Sequence, residues 1–297
     1  MRVFVTGATG FIGSAVVKEL IGAGHQVLGL VRSEEKVAAL TAAGAEAHRG
    51  SLEDLDSLKA GAARSDGVIH LAFNHDFSTF AANCEDDRRV IAALGSALAG
   101  SDKPLIVTSG TAMASTVPGE LAREDGPVIS SKVNPRAASE EAAAAVAAEG
   151  GNVSVVRLPQ VHDTVRQGLV TYAIALAREK GVSAYVEEGR NRWAAAPILD
   201  VARLYRLVLE KAEPGSKYHA VAEEGVTQRE IAEVIGRGLK VPVKSIATGE
   251  AGAHFGWLGL FVGHDMPASS EQTRRKLGWQ PVGPGLIADL EAMDYGV

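Results

Sequence analysis

Short, continuously apolar runs alternate with segments of helical spacing from the start of the chain. Residues 2–6, 26–31, 45–48, 67–72, 105–108 and 153–158 read as six successive strands. Between them the spacing predicts helices over 13–23, where Ala15, Val16, Leu20 and Ile21 share one side, and over 36–43, closed by Gly44. Further helices are expected over 55–60, 80–99 and the alanine-rich 136–149. Strands apolar on both faces and separated by helices predict an α/β fold, a Rossmann-type doubly wound parallel sheet.

Beyond Pro159 the pattern loosens. Helices are expected over 169–180, 199–211 and 227–239, the last opened by Thr227 with Glu230 in capping-box spacing. Strands are expected over 183–187, 218–221 and 241–246, the last outside the main sheet. A dinucleotide-binding unit over 1–160 and a smaller C-terminal substrate lobe over 161–297 follow, with 191–222 returning to the main sheet. The apolar, aromatic stretch 254–262 is too short to cross a bilayer and is expected as a helix under that lobe.

Composition narrows the function classes. The 297 residues are 46% hydrophobic, enough for a sizeable core, and few aromatics with 33 glycines suggest close helix–sheet packing. A formal net charge of −6 argues against nucleic acid or an anionic membrane surface as partner. Cys84 is the single cysteine, which excludes an intrachain disulfide and a cysteine-cluster metal site. Neither a signal-peptide pattern nor a membrane-length apolar run is visible, so the expected location is the cytoplasm, with a small-molecule partner and no metal.

The candidate chemistry begins at Thr6-Gly7-Ala8-Thr9-Gly10-Phe11-Ile12-Gly13. This glycine pattern follows a strand, opens a helix and precedes a second strand, the context of a dinucleotide turn. Gly7 permits the turn, Gly10 lets backbone approach a diphosphate, and Gly13 lets helix and strand pack closely. The second strand ends Leu30-Val31-Arg32-Ser33, without the carboxylate that selects NAD. Arg32 and Ser33 suit a 2′-phosphate, so NADP is the expected cofactor, with NAD as the alternative and Glu34 and Glu35 as nearby opposing charges.

Further segments, namely Gly50-Ser51-Leu52, Val68-Ile69-His70-Leu71-Ala72, Arg157-Leu158-Pro159-Gln160-Val161, Pro197-Ile198-Leu199-Asp200-Val201-Ala202 and Leu277-Gly278-Trp279, complete a pattern spanning nearly the whole chain. With the glycine loop, they make the chain resemble the short-chain dehydrogenase/reductase superfamily, in particular its extended epimerase/dehydratase branch. The resemblance implies that Ser51 and Leu52 lie by the adenine, that Ala72 and Phe73 lie by the diphosphate, and that Pro159, Gln160 and Val161 lie by the nicotinamide, with Leu71 and Thr108 as further expected cofactor contacts. It also implies that the helices over 80–99 and 136–149 stand where the family builds dimers, so a monomer or homodimer is expected.

The superfamily's catalytic set, a Ser on the fifth strand followed by Tyr-x-x-x-Lys, is missing. Arg136 stands at the Tyr position and Glu140 at the Lys position. An arginine stays protonated at any workable pH and shuttles no proton, and a glutamate offers the wrong charge to a ribose. Around the Ser position the chain reads Val107-Thr108-Ser109-Gly110-Thr111, leaving Ser109 and Thr111 as candidate hydroxyls. His75 and His162 are candidate proton donors by their place after the fourth and sixth strands. Asp76, Tyr172 and Trp193 are candidate substrate contacts. Arg136 is either an anchor for an anionic substrate or the partner of Glu140 one helical turn on. The expected function is an NADPH-dependent reductase of a small or medium carbonyl, imine or activated alkene, acting without the usual relay. A non-catalytic NADP-binding sensor is the alternative, and an isomerase or lyase a third.

Overall fold

The computed structural model describes residues 1–114 and 119–296. In chain order the first elements are β1 (Arg2–Thr6), α1 (Phe11–Gly22), β2 (Gln26–Val31), α2 (Glu34–Ala42), β3 (Glu46–Arg49), α3 (Leu55–Ala63), β4 (Gly67–His70), α4 (Phe80–Ala97), β5 (Leu105–Gly110), α5 (Ala138–Ala148) and β6 (Val153–Leu158). There follow β7 (Gln160–His162), α6 (Val170–Lys180), β8 (Ser183–Val186), β9 (Arg192–Pro197), α7 (Ile198–Lys211), β10 (Lys217–His219), β11 (Glu223–Thr227) and α8 (Gln228–Leu239). The chain closes with β12 (Val243–Ile246), α9 (Thr248–Phe255), α10 (Gly259–Val262), α11 (Glu271–Leu277) and α12 (Leu286–Ala292).

The expected parallel sheet is present, with seven strands in the order β3-β2-β1-β4-β5-β6-β10. Side-chain alternation sorts its residues into two cores. Val3 and Val5 of β1 and Ile106 of β5 pack with Val16, Leu20, Leu204 and Val208 of α1 and α7. Phe4, Leu105 and Val107 point the other way, against Leu58, Ile91, Leu94 and Val146 of α3, α4 and α5. Each such buried side chain contributes on the order of 1.5–3 kcal/mol. At Gly95 a Cβ would lie 2.5 Å from Val146, so the glycine lets α4 and α5 approach closely.

The second lobe holds a three-stranded sheet, β11-β9-β7, and the β12–β8 pair outside the main sheet. Its core includes Ile174, Trp193, Ile231, Ile235, Phe255 and Leu290. Thr227 and Glu230 form the expected capping box on α8. Three local expectations change. The stretch 254–262 is not one helix, because Gly256 at φ +56 separates α9 from a 3-10 turn and α10. Arg136 does not open α5 but sits in the 3-10 turn Pro135–Ala137 before it. β4 stops at His70, since the N–H groups of Leu71 and Ala72 turn to the Thr6 hydroxyl. Among the described residues no helix is long and apolar enough to cross a membrane, and no cluster of His, Cys, Asp or Glu is placed to hold a metal ion.

Candidate functional site

Parallel strands bring the C-terminal ends of β1, β2, β3, β4 and β5 to one sheet edge, where ligands of such folds bind. Gly7 turns the chain at φ +68, and a Cβ there would lie 2.9 Å from the Ala72 nitrogen. A Cβ on Gly13 would lie 2.0 Å from the Gly7 carbonyl oxygen, so α1 starts hard against the turn. The Gly10 N–H donates to the same oxygen at 2.9 Å. No side chain caps α1, and the N–H groups of its first turn have no intrahelical acceptors. Thr9, Phe11 and Ile12 are partly exposed beside them. A cradle that side chains would fill, with N–H donors aimed into it, fits a dinucleotide diphosphate.

At the far end of the cradle, Arg32 and Ser33 are exposed and Ser51 and Leu52 partly exposed. Arg32 forms no ion pair among the described residues, and the Ser33 hydroxyl makes no capping bond to α2. Glu34 is engaged by Arg49 at 2.5 Å. A hydrogen bond from Ser51, together with the nearby Arg32 charge, holds Glu53 below the usual carboxylate range.

Beneath the reaction end lies a buried network whose proton positions follow from donor and acceptor bookkeeping. Thr6 Oγ1 already accepts from two backbone N–H groups, so its own proton goes to His70 Nδ1 at 2.7 Å. His70 therefore carries its proton on Nε2 and donates to Asp87 Oδ1 at 2.8 Å. Arg136 Nη1 donates to Asp87 Oδ2 at 3.0 Å and Nη2 to the Thr108 carbonyl at 3.0 Å. Ser139 lies between Arg136 and Asp87, bonded to both. Burial raises the Asp87 pKa, but His70, Arg136 and Ser139 more than offset it and keep the carboxyl below its ordinary range. Thr108 Oγ1 donates to the His70 carbonyl, so the Tyr205 hydroxyl donates to Thr108 at 2.8 Å. Tyr205 is fully buried, burial raises its pKa, and its proton faces inward.

Arg136 and Glu140 are not partners of each other. Glu140 accepts two bonds from Arg157 at 2.8 Å and one from Ser109 at 2.8 Å. Burial raises its pKa, yet Arg157 and Ser109 hold it below the ordinary carboxylate value. Arg157 also donates to His219 Nε2, which leaves His219 Nδ1–H to donate to the Ser269 carbonyl. Ser109 is thus committed to Glu140 and is 4% exposed, which removes it from the substrate surface. Thr111 opens a 3-10 turn and is buried.

Phe73, His75 and Asp76 follow β4 at the rim. His75 is solvent-exposed, and desolvation by its neighbours together with the Arg136 charge lowers its pKa. Asp76 caps the 3-10 turn Phe77–Thr79 by accepting from Ser78, so its oxygens serve the loop rather than a ligand. Tyr172 is 43% exposed on α6 and meets Trp257 edge-on at 5.0 Å. Pro159 is partly exposed, whereas the Val161 side chain is buried in the main core. His162 is fully buried and bonded to Asp289 at 2.6 Å, too deep to serve as a proton donor to substrate. Trp193 is 1% exposed in the core of the second lobe and does not face the cleft. Burial pushes the Cys84 thiol up to about 11, which leaves it inert at neutral pH. A groove of about 830 Å³ between α1 and α7 shares only Phe11 with the site.

Sequence reasoning missed His70, Asp87, Arg157 and Tyr205. A signal existed for two of them. Asp87 shares the apolar stripe of α4 with Cys84, Ile91 and Leu94, and Arg157 interrupts an otherwise apolar buried strand. A charge on a buried stripe needs a partner.

The model of the NAD dependent epimerase/dehydratase family matches residues 3–222. An uncharacterized Schizosaccharomyces pombe protein is 48% identical over 296 residues, covering 99% of this chain and 100% of its own. An uncharacterized Saccharomyces cerevisiae protein is 47% identical over 296 residues, covering 98% of each. Among solved structures, a dTDP-glucose 4,6-dehydratase from Streptomyces venezuelae with NAD and TYD bound superposes with a TM-score of 0.79 at 19% identity, covering 99% of this chain and 96% of that one.

Proposed function

The chain belongs to the NAD-dependent epimerase/dehydratase family, and from that premise we propose that it is an NADPH-dependent reductase of a small or medium carbonyl, imine or activated alkene. One observation carries the reading: beside an intact glycine cradle, the two positions of the usual proton relay are both locked into buried ion pairs, Arg136 with Asp87 and Glu140 with Arg157. Alcohol oxidation, with which epimerase and dehydratase chemistry begins, needs a base next to the hydride acceptor. Arg136 offers none, and the Glu140 carboxylate is engaged away from the cleft.

Reduction asks less of the protein. Bound NADPH would supply a hydride to the carbonyl carbon; the C=O electron pair passes to oxygen, and a proton from water completes the alcohol, leaving NADP⁺. His75, neutral near pH 7 because desolvation lowers its pKa, offers a ring N–H to the substrate oxygen and orders that water. Exposed Arg32 and Ser33 support the preference for a 2′-phosphate. The family as a whole is NAD-dependent.

Purified protein given NADPH and a panel of carbonyls, imines and activated alkenes should oxidise the cofactor with at least one of them. Protein that binds NADPH and consumes none across the panel overturns the reductase and favours the second reading, a non-catalytic NADP-binding sensor. That reading draws on the engagement of Arg136 and Glu140 in ion pairs, which it explains without any substitute base.

A further inference from the structure

Building on the reductase reading, we propose that the substrate is an uncharged, flat-ring compound that stacks on the indole of Trp257 in the place Phe77 holds in this structure. Aromatic residues make up only 5% of the chain, yet ring contacts run without a break from the reaction end to α6. The Arg136 guanidinium lies 4.2 Å over the Phe73 ring. Phe73 meets His75 at 5.2 Å and Phe80 at 6.3 Å, and Phe80 meets Phe77 at 5.7 Å. Phe77 stacks on Trp257 at 4.3 Å and 13°, and Trp257 meets Tyr172 edge-on.

These rings are not a core. Trp257 is 38% exposed, whereas Trp193 and Trp279 are 1% and 0% exposed. Leu260, one turn on from Trp257, is 70% exposed. The near-parallel Phe77 stack shows that the indole face accepts a flat ring, and offset stacking is the arrangement aromatic pairs favour. Phe77 itself is only partly buried, in a three-residue 3-10 turn flanked by exposed Asp76 and Ser78, and its ring is held by other aromatic rings, Phe80, Phe261 and Trp257.

Charge points the same way. Arg136 is committed to Asp87 and Thr108. Arg192, which opens β9, is committed to Asp265 and to the Gly119 carbonyl. Neither arginine can grip a nucleotide diphosphate tail without giving up acceptors it already holds. An uncharged ring compound asks that of neither.

The test titrates benzylideneacetone, an uncharged aryl enone, and separately UDP-glucose, into protein saturated with NADP⁺, where no turnover occurs, and reads binding by calorimetry. Wild type should bind the enone in preference to UDP-glucose. Phe77→Ala removes the intramolecular competitor and should tighten enone binding, whereas Trp257→Ala should weaken it roughly tenfold. Trp257→Phe keeps a ring and should stay within about threefold of wild type. If Phe77→Ala weakens the enone, if Trp257→Ala and Trp257→Phe both leave its affinity unchanged, if UDP-glucose binds more tightly, or if wild type and Phe77→Ala both fail to bind it, the proposal is overturned. NADPH consumption is read separately. Enone binding without consumption of NADPH by any acceptor sinks the reductase reading and leaves the ring slot standing. Reduction of aliphatic carbonyls without enone binding does the reverse.

Discussion

Arg136 Nη1 and Asp87 Oδ2 lie 3.0 Å apart below the C-terminal end of the parallel sheet. The pair is one link of a longer network. It completes a buried chain from Thr6 on the cofactor turn through His70 and Asp87 to Arg136, which in turn holds the Thr108 carbonyl. In the polar floor of the site the Arg136 charge is thus matched by that of Asp87.

Removing one member should cost more than the pair contributes. Asp87→Asn leaves the Arg136 charge without its counter-ion and should lower unfolding free energy by about 3–5 kcal/mol, read by urea denaturation. Arg136→Met combined with Asp87→Asn should recover part of that loss. A single variant as stable as wild type would show that the pair carries no structural weight.

The relay should not be restorable by substitution. E140K sets a second cation against the buried Arg157 guanidinium, so R136Y/E140K should fold poorly, with a loss of more than about 3 kcal/mol in urea denaturation, and should show no alcohol dehydrogenase activity. A stable, NADP⁺-reducing double variant would contradict the assignment of Glu140 as the Arg157 partner.

Stability should fall with acid over a defined window. Burial, then the Arg157 charge, lowers the His219 pKa from 6.5 to about 4. Between those values the unfolded chain holds a proton that the folded chain does not, so stability is full above pH 6.5 and declines as pH falls toward 4. The melting temperature of wild type should drop across this range, and His219→Asn should flatten the slope. An identical slope in the variant would place the effect elsewhere.

How much of this was legible in the sequence follows from the range of the interactions. The glycine turn, the order of strands and the Thr227–Glu230 box are local patterns, and the sequence carries them whole. The alternation of Val3, Phe4 and Val5 shows that both faces of β1 are buried, but the partners on each face lie far along the chain. The polar floor is not local. Asp87 reaches Arg136 across 49 positions and Tyr205 reaches Thr108 across 97, so only folding shows which charge each buried charge meets. His162 follows the sixth strand and Trp193 lies in the expected substrate lobe, but β7 and β9 belong to a separate small sheet and both side chains are buried in the interior.

Cofactor choice should hinge on one exposed side chain. Arg32→Ala should weaken NADPH binding roughly tenfold or more while leaving NADH affinity nearly unchanged, by fluorescence titration. Equal losses for both cofactors would mean that Arg32 does not read the 2′-phosphate.

The central claim is that this chain moves a hydride from NADPH to a substrate without the tyrosine relay. The direct measurement supplies NADPH deuterated at nicotinamide C4, on each face in turn, with the enone or another accepted carbonyl, and follows the label by mass spectrometry. Deuterium should appear in the product from one face only, and no label should enter UDP-glucose incubated in its place. Absence of label in every product, or cofactor-dependent epimerisation of UDP-glucose, would contradict it.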